Sequence, residues 1–268
     1  MTEYISFGTW QLPAEDTPRI IADAAEAGFR HIDTAAAYAN EAAVGDGIAA
    51  CGVERGGLYI SGKLWVSKRS YDAAIRACRK SLRNLRLEYF DQYLIHWPAT
   101  AETDDNWRAI NSETWRALEQ LRKDGLVRHI GVCNCTPREL QAIIDDTGVM
   151  PEVNQIEFHP GLLQRETADY CKGAGITLEA WSALGHGSLL TDQALLAAAE
   201  KVGRSPAQTV LRWCMQKGVN PITKTVRPER MRANLKVFDF SLDDECMSAL
   251  DNIVCGETVD YDPFLKRS

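Results

Sequence analysis

The chain has 268 residues, 45% of them hydrophobic and 25% charged, with a formal net charge of -7. That balance speaks against a nucleic acid or an anionic membrane as the main partner, since either calls for a basic face. No apolar run approaches the roughly 20 residues that span a bilayer. Residues Met1 to Tyr4 begin neither a signal nor a transit peptide, so a cytoplasmic protein is expected. Eight cysteines without paired C-x-x-C spacing read as reduced thiols, mostly in the core, with no metal site.

Along the chain, strand-like apolar runs alternate with helical patterns, the mark of a parallel α/β fold. Strands are predicted at Ile5–Phe7, His31–Asp33, Leu58–Ser61, Gln92–Ile95, His129–Val132, Val153–Ile156, Thr177–Ala180 and Val219–Ile222. Thr17-Pro18 and Ser205-Pro206 each pair an N-cap residue with proline at the first helical position, where a missing N–H costs nothing. Apolar spacing predicts helices over 70–85 and 112–124, and Gly125, Gly148 and Gly218 fall where helices should stop. Without a linker or low-complexity tract, one domain over residues 1–268 is expected. Eight β/α units fit a closed (β/α)8 TIM barrel better than an open sheet, and neither G-x-G-x-x-G nor G-x-x-x-x-G-K-[ST] occurs.

In such a barrel the loops after the strands converge on one face and carry the chemistry. Asp33 and Tyr38 follow strand two, Lys63 strand three, His96 strand four, Cys133-Asn134 strand five, Gln155 strand six, Trp181-Ser182 strand seven and Lys224 strand eight. Asp33, Tyr38, Lys63 and His96 together suit the protonation of a carbonyl oxygen. A phenol titrates near 10, roughly, and needs a cation such as Lys63 to lower that value. Asp33 would keep Lys63 charged, and His96 would orient the carbonyl by a hydrogen bond. Singly, Asp33 reads as a cap, Tyr38 as packing and His96 as a core histidine. Lysine, by contrast, is rarely buried unpaired. Trp10, Trp65, Trp97 and Trp181 also fall just after strands, giving an aromatic-walled mouth for a flat ring or an apolar-faced substrate.

Over essentially its whole length the chain resembles the aldo-keto reductases. The segments that carry the likeness are Phe7-Gly8-Thr9-Trp10, Asp33-Thr34-Ala35 with Tyr38, Gly62-Lys63-Leu64-Trp65, the run from Ser81 to Pro98, Gly125 to Val132, and Val153-Asn154-Gln155. The resemblance implies an NADPH-dependent reductase of aldehydes or ketones, with Tyr38 as general acid and the nicotinamide as hydride donor. It implies that Asn134 and Gln155 bind the carboxamide, Trp181 stacks on the nicotinamide, and Ser182 with Leu184 flanks the pyrophosphate. Gly8, Thr9, Trp10, Asp33 and Cys133 are further expected cofactor neighbours. Lys224, Thr225, Val226 and Arg230 correspond to the loop for the 2′-phosphate, and Asn234 to the adenine contact; a basic loop of this kind favours NADPH over NADH. Trp10, Tyr38, Trp65, His96 and Trp97 would wall the substrate pocket.

The chain departs from the family pattern in several places. Cys133 stands where serine is common, a weaker hydrogen-bond partner. Thr223-Lys224-Thr225 replaces Pro-Lys-Ser, and Ala233 stands where a carboxylate often meets the adenine amine. Only five residues precede Ser6, too few for the β-hairpin that usually plugs the barrel, so Met1–Tyr4 or a partner chain should close it. A nicotinamide-binding regulatory subunit, and a Schiff-base lyase using Lys63, are the competing readings. The loop 99–111 and the tail 257–268 are expected to set selectivity. In its compact length the chain resembles the bacterial 2,5-diketogluconate reductase branch more than the mammalian aldose reductases, which suggests small dicarbonyls, keto-sugars or aldehydes as substrates, and the family resemblance implies a monomer as the working state.

Overall fold

In the computed structural model, which describes residues 3–254, eight parallel strands close into a barrel in sequence order. They are β1 (Ser6–Gly8), β2 (His31–Asp33), β3 (Tyr59–Leu64), β4 (Phe90–Ile95), β5 (Val127–Cys133), β6 (Val153–Glu157), β7 (Thr177–Trp181) and β8 (Val219–Thr223), with β1 paired to both β2 and β8. Around them lie α1 (Thr17–Ala27), α2 (Glu41–Ala50), α3 (Tyr71–Leu85), α4 (Trp107–Lys123), α5 (Pro137–Thr147), α6 (Arg165–Ala174), α7 (Gln193–Val202), α8 (Pro206–Gln216), α9 (Pro228–Asn234) and α10 (Asp244–Asp251). None of the described helices is long and apolar enough to cross a membrane. The cysteines among the described residues are free thiols, all buried except the half-buried Cys51.

The strand positions alternate between two environments. Phe7, Ile32, Ile60, Ile130 and Ile156 face outward and join the helices in one continuous apolar core. The opposite face looks into the barrel, where Gln92 on β4 reaches Glu179 on β7 and Gln155 on β6 reaches Asp33 on β2. Strands that are not neighbours can meet in this way only across the interior. That interior is therefore largely polar, with Leu94, Cys133 and Val153 forming a small separate apolar cluster.

The helix starts follow local capping chemistry, with two corrections to the sequence reading. Ser205 caps α8 as the sequence predicts, there in a reciprocal capping box with Gln208, and Thr136 with Glu139 forms another at α5. Thr17, however, is inside α1 behind Asp16; its hydroxyl donates to the Pro13 carbonyl instead of capping. The helix predicted from Ser112 begins at Trp107, because the turn at Asp104 folds back on Asn106 and Trp107 and starts the spiral before the apolar periodicity does.

At the N-terminal ends of the strands the barrel is closed by a stack of rings. Tyr4 lies on His31 at 4.1 Å between centroids, His31 on Tyr59 at 4.7 Å, and Tyr59 beside His129 at 6.2 Å. Tyr4 thus performs the closing role expected of Met1–Tyr4. Inside, β5 passes so close to its neighbours that a Cβ on Gly131 would lie 2.6 Å from the Val153 carbonyl oxygen and 2.8 Å from Leu94 Cδ2. Gly131→Ala should therefore cost about 1–3 kcal/mol through overpacking. A urea-unfolding midpoint equal to that of the unsubstituted protein would show that β5 has room to shift.

Candidate active site

The four residues singled out from the sequence converge at the C-terminal end of the barrel. Lys63 is 1% exposed, which puts its ammonium inside β3 and not on the loop beyond it. It pairs with Asp33 and donates to the Tyr38 hydroxyl at 3.2 Å and to the Thr34 carbonyl at 3.4 Å. Tyr38 ends the 3-10 turn Ala36–Tyr38, which is closed by left-handed Ala39. Asp33 is held from both ends. Its carbonyl accepts from the Thr9 hydroxyl and the Thr9 N–H, each at 3.0 Å, and its Oδ2 accepts from Gln155 Nε2 at 3.0 Å.

The electrostatics are those of a neutral acid beside a permanent cation. Burial alone would drive Lys63 toward neutrality, but Asp33 and Tyr38 outweigh it and raise its pKa above the usual ammonium value. Tyr38 is pushed up to about 12, because burial outweighs the lowering influence of Lys63. This corrects the expectation that the cation makes the phenol acidic: in this arrangement Lys63 limits a rise. His96 falls well below the usual imidazole value through burial and then the nearby Lys63, so it is neutral. Its Nδ1 is buried without a partner, which favours the tautomer that carries the proton on Nε2. The ring packs edge-on against Tyr38 at 5.8 Å and Trp65 at 5.2 Å.

A cavity of about 480 Å³ opens over this group. Its walls include all five residues expected around the substrate: Trp10, Tyr38, Trp65, His96 and Trp97. Of the residues expected around the cofactor, Gly8, Asp33, Cys133, Asn134, Gln155, Trp181, Ser182, Leu184, Lys224 and Arg230 line the same space. Thr9, Thr225, Val226 and Asn234 are not among the lining residues. Thr9 is fully buried behind Asp33, the Thr225 hydroxyl accepts from the Arg227 N–H, and Val226 is exposed. Asn234 is buried and donates to the Thr223 hydroxyl at 3.1 Å, bracing the end of β8. Gln155 belongs to β6 itself, and its Nε2 is engaged by Asp33 and Glu179.

Asn134 adopts a left-handed backbone at φ 58°; its Oδ1 accepts from Trp181 Nε1 at 2.8 Å and its Nδ2 donates to the His96 carbonyl at 3.1 Å. This fixes the Trp181 ring in the cavity wall. The sequence reading missed Gln11, His186, Gly187, Leu190, Ile222 and Thr223, all of which line the cavity. The two glycines flanking His186 are the signal the sequence offers there: Gly185, His186 and Gly187 all have positive φ and make a sharp bend after β7. No residue of 99–111 lines the cavity; Asn111 instead clamps the Ala99 backbone through both ends of its amide. The tail 257–268 lies outside the described residues.

A closed (β/α)8 barrel with a Tyr-Lys-Asp-His group at the C-terminal ends of its strands defines a carbonyl oxidoreductase site. Residues 4–254 match the model of the Aldo/keto reductase family, and the chain belongs to that family. It is 46% identical over 236 residues to the glyoxal reductase of Bacillus subtilis (strain 168), covering 88% of this chain and 83% of that protein. It is 39% identical over 261 residues to the methylglyoxal reductase DkgA of Yersinia pestis, covering 97% and 91% respectively. Among solved structures, a Gox0644 variant in complex with NADPH superposes with a TM-score of 0.89 at 37% identity, covering 98% of this chain and 94% of that one.

The partly buried His31 and His96 make stability depend on pH. His31 falls to about 4 through burial, and His96 also lies below its unfolded value, so the unfolded chain takes up these protons first. The His31 contribution is complete above the ordinary imidazole value of 6.5 and is lost as pH falls toward about 4, and that of His96 is lost in the same direction. The urea midpoint should accordingly drop between about pH 6.5 and 4, and His31→Gln should flatten that slope. An unchanged slope in His31→Gln would mean that His31 is not buried neutral.

Proposed function

We propose that Tyr38 is the general acid in an NADPH-dependent reduction of aldehydes and ketones to alcohols. The observation that carries this is the Tyr38 hydroxyl, 3.2 Å from the buried Lys63 ammonium and in the wall of an aromatic cavity. As a carbonyl carbon is reduced, negative charge grows on its oxygen. Tyr38 and His96 Nε2 then provide two donors where that charge appears, and Lys63 stabilises the phenolate left behind. Asp33 keeps Lys63 protonated and oriented, so the cation needs no rearrangement during the reaction.

The residues present fit the dinucleotide. The Ser182 hydroxyl is buried without a partner, suited to a pyrophosphate oxygen, and Lys224 and Arg230 bring cations to the cavity wall for a 2′-phosphate. Trp181, fixed by Asn134, offers a flat face, and Gln155 and Asn134 offer polar atoms for the carboxamide. When bound, the cofactor supplies the hydride to the carbonyl carbon.

The cavity of about 480 Å³ and its tryptophan walls suit a small substrate, and the named activities of the two relatives point to dicarbonyls. We read the working unit as a monomer with a small carbonyl compound as its partner. A Schiff-base role for Lys63 is disfavoured because Asp33 raises its pKa and holds it protonated, and because Lys63 is fully buried behind the cavity wall.

Tyr38→Phe should lower kcat by roughly 10²–10⁴ in an NADPH-oxidation assay with glyoxal and methylglyoxal, the usual range for losing a general acid. Wild-type rates in that variant would remove Tyr38 from the role. Lys224→Ala combined with Arg230→Ala should weaken NADPH binding far more than NADH binding, and equal losses for both would refute the phosphate clamp.

A further inference from the structure

Glu179 is a buried carboxyl group, 2% exposed, that the proposed reaction does not use. It stands in the barrel interior on β7 and collects donors from three directions. Tyr4 OH donates to Oε1 at 2.6 Å, Gln155 Nε2 to Oε2 at 2.8 Å, and Gln92 Nε2 reaches both oxygens at 3.2 Å. Burial pushes this carboxyl up, and the same three donors pull it back.

Gln155 lies between two acids. Its Nε2 donates to Asp33 Oδ2 at 3.0 Å and to Glu179 Oε2 at 2.8 Å, which uses both of its N–H bonds. A flipped amide would turn its carbonyl oxygen toward two carboxyl groups and leave their lone pairs without donors, a costly arrangement in a buried site. Glu179 and Asp33 together therefore fix which end of the Gln155 amide is free, and the free end is Oε1.

We propose that Glu179 is a positioning residue for cofactor recognition: by accepting one N–H of Gln155, it presents Gln155 Oε1 to the cavity as an acceptor for the N–H2 of the nicotinamide carboxamide. This inference rests on the reading of Gln155 as a carboxamide contact. It also ties the barrel floor to the cofactor, since Tyr4, stacked on His31, holds the other oxygen of the same carboxyl group.

The test uses binding, not turnover. NADPH is compared with its reduced 3-acetylpyridine analogue, in which the carboxamide N–H2 is replaced by a methyl group, by quenching of tryptophan fluorescence. Wild type should favour NADPH by roughly fivefold, the worth of one neutral hydrogen bond. Glu179→Asp keeps the charge but withdraws the acceptor from Gln155, and should abolish that preference. Glu179→Gln loses the charge but can keep an oxygen on Gln155 by turning its own N–H2 toward the Tyr4 oxygen, and should retain it.

Retention in the Asp variant, or loss in the Gln variant, overturns the inference, and either folded variant alone decides it. Gln155→Leu separates the two levels of the reading. If it leaves the preference at the wild-type value, Gln155 is not a carboxamide contact and both readings fall. If it abolishes the preference while Glu179→Asp retains it, the assignment to Glu179 alone falls.

Discussion

The ion pair between Lys63 and Asp33 dictates the rest of the barrel. An ammonium and a carboxylate taken out of water each cost of order several kcal/mol, recovered only when the two charges meet and their remaining hydrogen-bonding capacity is filled. Lys63 fills its capacity with Tyr38 and the Thr34 carbonyl, and Asp33 with Gln155. Gln155 then requires Glu179, and Glu179 requires Tyr4 and Gln92. A polar interior follows, in contrast to the branched apolar layers that commonly fill such barrels. The apolar core lies outside the sheet instead, between strands and helices. Gly62, the residue before the lysine, marks the border between these environments: a Cβ there would lie 2.6 Å from the Phe90 ring on the outer face.

The same pair sets the charge states above it. Burial would by itself make Tyr38 a very weak acid and Lys63 a neutral amine, and neither would help a carbonyl. With Asp33 in place the lysine stays charged, and the phenol, at about 12, keeps its proton until a stronger base appears nearby. An oxygen that gains electron density during reduction is such a base. His96, kept neutral by burial and by Lys63, can donate to that oxygen without adding a second positive charge beside the lysine. Two protonated donors and one fixed cation form a preorganised environment for developing negative charge, in which little has to move as the reaction proceeds.

The sequence made the quartet of Asp33, Tyr38, Lys63 and His96 legible because each member sits at or near a strand end, where apolar alternation stops and the chemistry-bearing residue follows. It made the strands legible for the same reason, with β2 matching its predicted bounds and β3 extending three residues further to include Lys63. Cavity lining contributed by backbone bends was less visible. His186 and Gly187 enter through positive φ angles, which carry no hydrophobic period. The resemblance marks Thr9 and Asn234 as cofactor neighbours, and in the structure their side chains brace Asp33 and Thr223. Residues 107–111 carry no helical signal in the sequence because the first turn of α4 is started by Asp104 and not by apolar spacing. In each case the missing information is the direction of a side chain, which depends on hydrogen bonds between segments far apart in the chain.

Those long-range bonds also join the barrel floor to the C-terminal end in one hydrogen-bonded network. From Tyr4 the path runs through Glu179, Gln155 and Asp33 to Lys63 and Tyr38, and every step has a donor facing an acceptor with no like pair opposed. Such a chain resists flipping at any one member, because reversing one amide would oppose donors or acceptors at both of its neighbours. The walls above it are made differently. Trp10, Trp65 and Trp97 line the cavity, and contacts made by aromatic rings tolerate changes of size and shape far better than paired hydrogen bonds do. The polar interior thus fixes the position of the Tyr38 hydroxyl through Lys63, while the aromatic rim of the cavity is held by contacts that leave more room for change.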